Sequence, residues 1–149
     1  MIDIGQKPVV LREARAAGFI KLKPETVQVI RNKNVKKGDV LEISKVAGVM
    51  GAKMTHLNIP HCHSIPIESV TPEVILRDEG VEVKCLVKTH YKTGVEMEAL
   101  SCTNAMLLNI WDMTKYLEKD KDGQYSTTEI LGVRVLEKRK DEDGSQRRT

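Results

Sequence analysis

The segment IPHCHS, from Ile59 to Ser64, places one thiol between two imidazoles. Histidine and cysteine side chains bind metal ions, transfer protons and contact polar substrates. Zinc ligands are usually separated by at least two residues so that the chain can bend around the ion, whereas His61, Cys62 and His63 are adjacent and alternate in direction. The spacing therefore disfavours a structural zinc site. A metal-binding or regulatory module, a substrate-binding loop and histidines without a function remain as alternatives.

Basic residues precede this segment. Lys36 and Lys37 stand beside Gly38, where an uncovered backbone would let an anion approach closely. Lys53 follows a run of small and apolar residues, so it is either a solvated helix residue or a phosphate ligand. The chain lacks the Gly-x-x-x-x-Gly-Lys-Ser/Thr frame of a P-loop, which argues against ATP-type phosphate binding.

Acidic residues occur at both ends of one predicted helix. Glu96 and Glu98 fall in its first turn, where carboxylates interact favourably with the helix dipole. Asp112 and Lys115 are three residues apart and can pair on the helix surface. An exposed pair would contribute only about 0.2–1 kcal/mol to stability. In a pocket the same pair would be an acid–base couple, because each group sets the protonation of the other.

Hydrophobic periodicity predicts the elements that carry these residues. We expect a strand, two helices, two strands joined by the turn RDEG, a long helix and a last strand, with Pro24 opening the first helix and Asp39 capping the second. The predicted ranges are 9–22, 24–34, 40–57, 65–77, 81–90, 95–119 and 127–137. This order predicts an α+β fold with helices packed on one face of an antiparallel sheet, in a ferredoxin-like arrangement.

The long helix has apolar residues on two sides. One stripe steps by three or four residues: Val95, Ala99, Cys102, Met106, Ile110, Met113 and Leu117. A second patch lies mostly opposite: Leu100, Leu107, Leu108 and Trp111. A helix with two apolar sides needs two partners. The sheet is one, and the other is either the preceding helix or a second subunit.

Composition limits the class of protein. The 149 residues suit one domain, and the net charge of +3 with 3% aromatic residues disfavours nucleic-acid binding. We expect no signal peptide, because the N-terminus lacks a basic region followed by an apolar run, and no membrane span, because no uninterrupted apolar run is long enough. Three cysteines without a framework spacing predict reduced thiols and a cytoplasmic protein. The charged residues 138–149 are predicted to form a frayed tail.

Four motifs occur in one order after an opening strand, DIGQKPVVLREARAAGFIKL: KGDVLEISKVAGVMGAK, LNIPHCHSIPI, TGVEMEAL and WDMTKYLEK. Together they resemble the MoaC family of cyclic pyranopterin monophosphate synthases, from about Met1 to Glu137. Two departures stand out. The family usually reads Leu-Cys-His-Pro at positions 61–64, and its Gly-Gly-Lys-Ser-Gly tail is replaced here by charged residues, which puts any substrate contact of that tail in doubt.

The resemblance implies an enzyme of molybdenum cofactor biosynthesis. Such an enzyme rearranges 3′,8-cyclo-7,8-dihydroguanosine triphosphate to cyclic pyranopterin monophosphate and releases pyrophosphate. It implies Asp112, Lys115 and Lys37 as catalytic residues. It further implies that two tripeptides contact the substrate: His61, Cys62 and His63, and Glu96, Met97 and Glu98. Three basic residues would hold the triphosphate: Lys53, Arg12 and Arg15. The rival interpretation is a scaffold without catalytic activity. The joint presence of Lys37, His63, Glu98, Asp112 and Lys115 argues against it.

The same resemblance implies a homohexamer, a trimer of dimers with its active site at a subunit interface. No tightly bound cofactor is expected, although Mg²⁺ could assist the departure of pyrophosphate. The predicted helix adds a geometric reason for a shared site. Glu98 and Asp112 would lie about 20 Å apart along a continuous helix, at roughly 1.5 Å per residue.

Overall fold

A computed structural model of the protein describes residues 1–141. Four strands form one antiparallel sheet in the order β2-β3-β1-β4. In chain order the elements are β1 (Val10–Lys21), α1 (Pro24–Arg31), α2 (Val40–Lys53), α3 (Thr55–Asn58), β2 (Ser69–Arg77), β3 (Gly80–Tyr91), α4 (Glu96–Glu118) and β4 (Glu129–Asp141). This confirms the predicted α+β fold with a ferredoxin-like strand order.

The second helix and the strand that follows it differ from the prediction in their boundaries. The second helix ends at Lys53, and Met54 separates it from the single turn α3, which ends before Pro60. The strand expected from residue 65 begins at Ser69. Pro66 explains the late start in part, because proline has no N–H to donate to a strand ladder.

Helices α2 and α4 pack closely on one side of the sheet. Asp39 caps α2 as predicted, since its Oδ1 accepts a hydrogen bond of 3.2 Å from the Glu42 amide. A Cβ atom on Gly51 would lie 2.5 Å from the Cβ of Ala105 and 2.8 Å from the Ser101 carbonyl oxygen. The absence of a side chain at Gly51 therefore lets the two helix backbones approach each other.

The long helix is continuous over 23 residues, and both of its apolar sides serve the chain's own core. The main stripe is buried except for Leu117, which is half-buried. In the second patch Leu107 is fully buried beneath Gly18 of β1, Leu100 and Trp111 pack on the core, and only Leu108 is mainly exposed. Packing within the chain therefore accounts for most of the second patch.

One uncovered apolar surface of the helical layer lies on α2 and the turn after it. It consists of Ile43, Val46, Met50, Met54 and Leu57, whose exposed fractions run from 40 to 67%. The first three recur at helical spacing and so share one face of α2. We call this set the α2 stripe. None of the helices in the described part of the chain has the length and apolarity that a bilayer crossing requires.

Strand β4 is longer than predicted. It runs to Asp141 and pairs with β1 along its length, so residues 138–141, which we assigned to a frayed tail, belong to the sheet. The high charge of this segment gave it the composition of a tail, although it lies in the sheet. Lys140 pairs with Arg12 of β1, and Arg139 pairs with Glu13. The remainder of the predicted tail, 142–149, lies outside the described residues.

Glu118, the last residue of α4, joins three elements. Its fully buried carboxylate accepts hydrogen bonds from the hydroxyls of Thr26 and Thr128 and from the Lys23 amide. These donors lie at the start of α1 and just before β4. A buried carboxylate satisfied in this way fixes the end of α4 relative to both neighbours.

The prediction of three reduced cysteines is wrong. Cys85 of β3 and Cys102 of α4 form a disulfide in the core, and Cys62 is free. The three cysteines show no framework spacing, so the sequence pattern could not pair them. The fold does, because the inner face of β3 meets the sheet-facing side of α4 at this point.

Reducing this disulfide should lower the free energy of unfolding by about 3 kcal/mol, because the cross-link restricts the unfolded chain. Urea unfolding of the protein with and without a reductant measures the loss. The Cys62→Ala variant is the control, since its disulfide is intact and it should show the same loss on reduction. Alkylation of all three cysteines in the unreduced, denatured protein would contradict the bond.

Candidate active site

The segment IPHCHS and the start of α4 enclose one cavity, which we call the histidine cavity. It has a volume of about 290 Å³. Its lining includes all six residues that the resemblance placed there: His61, Cys62, His63, Glu96, Met97 and Glu98. Thr93 and Gly94, from the connection between β3 and α4, complete one wall. Two segments more than thirty residues apart in sequence therefore present imidazole, thiol and carboxyl groups to one space.

Glu98 is the most buried charged residue of this cavity, with 2% of its surface exposed. The Cys62 thiol donates a hydrogen bond of 3.7 Å to its Oε2, whereas its Oε1 is buried without a partner among the described residues. Burial raises the pKa of Glu98 to about 7, and the neighbouring Glu96 carboxylate adds to the rise. Burial and Glu98 together raise the pKa of the Cys62 thiol. Glu98 can therefore exchange a proton near neutral pH.

This burial predicts a pH-dependent stability. Because the pKa of Glu98 is higher in the folded than in the unfolded protein, its contribution to stability is complete below pH 4.5 and is lost as the pH rises through about 7. The Glu98→Gln variant should lack this loss. The difference in free energy of unfolding between variant and wild type should therefore shift by about 2 to 3 kcal/mol in favour of the variant from pH 4 to pH 8. Urea unfolding at both pH values tests it, with the exposed Glu73→Gln variant as control. An equal pH trend in Glu98→Gln and wild type would refute the assignment.

The N-terminal segment lies across the two histidines. His63 Nε2 is 2.7 Å from the Ile2 carbonyl oxygen, and His61 Nδ1 is 3.0 Å from the nitrogen of Met1. These four residues, together with Ile4, Lys7 and Thr93, border a second, open cavity of about 550 Å³ next to the histidine cavity. The histidine loop is therefore accessible from two sides.

The second group of polar residues lies near the other end of α4, and we call it the aspartate cluster. Lys115 Nζ is 3.1 Å from Asp112 Oδ1, and Lys37 Nζ is 3.1 Å from Asp112 Oδ2. Lys37 also donates to the Asp112 carbonyl oxygen at 2.9 Å. The three residues predicted to be catalytic are thus in direct contact, although Lys37 comes from the loop between α1 and α2.

Each carboxylate oxygen of Asp112 faces one ammonium group. The hydrogen bonds from Lys115 and Lys37 lower the pKa of Asp112, and the hydrogen bond to Asp112 raises the pKa of Lys115. These side chains are 42 to 57% exposed, so a ligand can reach them. The arrangement is an ionised carboxylate between two proton donors.

The two groups do not meet within one chain. Glu98 and Asp112 lie on the same continuous helix, so their backbones are about 20 Å apart at roughly 1.5 Å per residue. A single reacting centre cannot contact both. The structure therefore contains the separation between Glu98 and Asp112 that the predicted continuous helix implied.

The three residues expected to hold a triphosphate are dispersed. Lys53 is exposed at the end of α2. Arg12 lines a small cavity of about 170 Å³ that shares Gly94 and Glu96 with the histidine cavity. Arg15, three residues further along the strand, points to the opposite face of the sheet and lines a separate groove of about 280 Å³. Only Arg12 is placed near the histidine cavity of its own chain.

Reasoning from the sequence missed the basic residues of β4 beside Arg12. Lys138 and Lys140 line the same small cavity, and Lys138 Nζ is 3.2 Å from Glu96 Oε1. The Arg12 Nε and Nη2 atoms are buried there without a partner among the described residues. The alternation at residues 133–135, Val-Arg-Val, could have signalled that the strand extends into the charged residues after it. In the described part of the chain, no three His, Cys, Asp or Glu side chains form a group that could hold a metal ion.

Comparison with known proteins agrees with the motif pattern. The MoaC family model matches residues 1–141. The probable cyclic pyranopterin monophosphate synthase of Thermoplasma acidophilum is 54% identical over 140 residues, which cover 94% of this chain and 98% of that protein. Proteins of the same description from Aeropyrum pernix and Sulfolobus acidocaldarius are 56% and 51% identical and cover 94% and 93% of this chain and 96% of each relative. The chain belongs to the MoaC family.

Proposed function

We propose that this protein is a cyclic pyranopterin monophosphate synthase of molybdenum cofactor biosynthesis. Its substrate is 3′,8-cyclo-7,8-dihydroguanosine 5′-triphosphate, and its products are cyclic pyranopterin monophosphate and pyrophosphate. The observation that carries the proposal is the contact of Lys37, Asp112 and Lys115 in a member of this family. A substrate made from GTP also favours the cytoplasm as the compartment.

The chemistry requires groups that move protons at neutral pH. Opening a purine ring and closing a pyranopterin involve several proton transfers, for which carboxylate and ammonium groups in contact are suitable donors and acceptors. The lowered pKa of Asp112 keeps it a carboxylate, and the raised pKa of Lys115 keeps it an ammonium, so the pair holds one proton acceptor and one proton donor in contact. Glu98, with a pKa of about 7, can do either in the histidine cavity.

The phosphate chemistry requires cations. Formation of a cyclic monophosphate from a triphosphate forms one P–O bond at the α-phosphorus and breaks the bond to the β-phosphate, so that pyrophosphate leaves with its negative charge. Fixed cations stabilise that charge as it develops. Arg12, Lys138 and Lys140 supply cationic groups next to the histidine cavity, and Lys53 and Arg15 would act from neighbouring chains. Mg²⁺ would assist the same step.

The proposal includes a homohexamer, arranged as a trimer of dimers, in which each active site takes residues from two chains. Two observations support it. The histidine cavity and the aspartate cluster are too far apart on α4 to serve one substrate within a chain. The α2 stripe is an apolar surface that one chain leaves uncovered, as subunit interfaces require.

The direct test supplies purified protein with enzymatically prepared cyclised GTP. We expect cyclic pyranopterin monophosphate and one equivalent of pyrophosphate, both absent when the protein is omitted. Assays with Mg²⁺ and with a chelator determine the metal requirement. Unchanged substrate under both conditions would overturn the proposal and favour an idle scaffold.

The two histidines of the loop should differ in importance. His61→Leu restores the usual family residue and should leave turnover within about twofold of wild type, since surface changes are commonly neutral. His63→Ala should lower turnover by about a hundredfold, as expected for the loss of a proton-transferring or substrate-binding group. Steady-state kinetics on both variants decides the question. Equal effects would point to a shared metal ion instead.

A further inference from the structure

Tyr116 connects the loop that carries Lys37 to the helix that carries Asp112. Its hydroxyl oxygen accepts a hydrogen bond of 2.9 Å from the backbone N–H of Lys36. The Lys36 ammonium lies over the Tyr116 ring, 5.3 Å from the centroid, in cation–π geometry. The ring itself is half-buried and packs against the core, so that its position is fixed by α4.

The loop holds Lys37 with one turn of its own, closed by a hydrogen bond of 3.1 Å from the Gly38 amide to the Val35 carbonyl oxygen. Residues 32–39 connect α1 to α2, with Lys33 at a φ of 57° and Gly38 at 118°. Lys36 and Lys37 contact two successive turns of α4, because Tyr116 and Asp112 are four residues apart and share a helix face. The Lys36 amide meets Tyr116, and the Lys37 ammonium meets Asp112.

We propose that Tyr116 is a positioning residue for the aspartate cluster: by fixing the Lys36 backbone, its hydroxyl holds the Lys37 ammonium on Asp112. The inference rests on the proposed function for its effect on turnover, but not for its effect on Lys37 itself. Lys115 is three residues from Asp112 on the same helix and does not depend on the loop. Loss of the Tyr116 hydroxyl should therefore release one of the two lysines and leave the other.

The Tyr116→Phe variant isolates the hydroxyl, because it preserves the ring, its packing and the cation–π contact. A hydrogen bond of this kind is worth about 0.5–1.5 kcal/mol, so we expect kcat to fall about 2- to 10-fold. KM should change little. The pKa of Asp112 should rise in the variant, because Asp112 loses one of the two ammonium partners that lower it. Tyr91→Phe, which removes a hydroxyl at the end of β3, is the matched control.

A double-mutant cycle tests whether Tyr116 acts through Lys37. If it does, Tyr116→Phe should have no further effect in a Lys37→Ala background. If the double variant instead loses kcat by the product of the two single-variant factors, Tyr116 acts independently of Lys37 and the inference is overturned. A wild-type kcat in Tyr116→Phe would overturn it as well.

A chemical readout separates this inference from the proposed function. Acetylation of lysines by a small acylating reagent, followed by peptide mass spectrometry, reports how firmly each ammonium is held. In Tyr116→Phe the labelling rate of Lys37 should rise about 2- to 10-fold, in line with the hydrogen bond removed, while Lys53 is unchanged. Unchanged labelling of Lys37 would refute the positioning role even if the enzyme is active. Inactive wild-type protein with increased labelling would refute only the proposed function.

Discussion

The Asp112→Asn variant should lose about a hundred- to ten-thousandfold in turnover, the range in which acid–base residues contribute to enzyme rates. Asparagine has nearly the shape of aspartate but neither its negative charge nor its ability to accept a proton. The two lysines, Lys37 and Lys115, would then face a neutral amide and lose their partner of opposite charge. Turnover of cyclised GTP by the purified variant measures the effect.

The fold should survive this substitution, since the Asp112 side chain is 57% exposed and lies outside the core. Circular dichroism and the unfolding midpoint verify that. Asp78→Asn is the matched control, because Asp78 is almost fully exposed and forms an ion pair with Arg31 at 3.7 Å. It should turn over substrate like wild type. More than a tenth of wild-type turnover in Asp112→Asn would remove Asp112 from the catalytic role.

Activity should return when two inactive variants are assembled in one oligomer. His63→Ala disables the histidine cavity and Asp112→Asn disables the aspartate cluster, and neither side chain belongs to the core. If each active site takes its cavity from one chain and its cluster from another, random mixing at equal amounts leaves about a quarter of the sites with both parts intact. We therefore expect about a quarter of wild-type turnover from the mixture.

The mixture must be prepared by joint unfolding and refolding or by co-expression, so that the chains exchange. Separately prepared variants combined without exchange are the control and should be inactive. A second pair, Glu98→Ala with Lys115→Ala, should behave in the same way. No recovery in a verified mixed oligomer would place each complete site in one chain. An active monomer would exclude the shared site as well.

The order of secondary structure elements could be read from the sequence because it depends on local signals. Periods of two and of about 3.6 residues distinguish strands from helices, and Pro24 and Asp39 mark helix starts. The α+β class follows from the order of elements. The length of α4 was also readable, and with it the separation of Glu98 from Asp112, since a continuous helix has a fixed rise per residue.

Motifs in the sequence identified the candidate site residues, but not which of these residues lie close together in space. The resemblance named Lys37 and Asp112 as catalytic, but only the folded chain brings them together, across 75 residues of sequence. It also named Arg12 and Arg15 together, and the strand turns them to opposite faces of the sheet. Motifs identify which residues act, and their mutual distances depend on packing.

Three features required the tertiary structure. Cys85 and Cys102 pair because β3 and α4 meet in the core, and cysteine spacing carries no information about such a contact. Lys138 lies in a strand because β4 continues its pairing with β1 here, opposite Ala14, although its own segment has the composition of a tail. Tyr116 receives the Lys36 amide because a loop docks on a helix. Each depends on contacts between residues distant in sequence, and local periodicity cannot report those contacts.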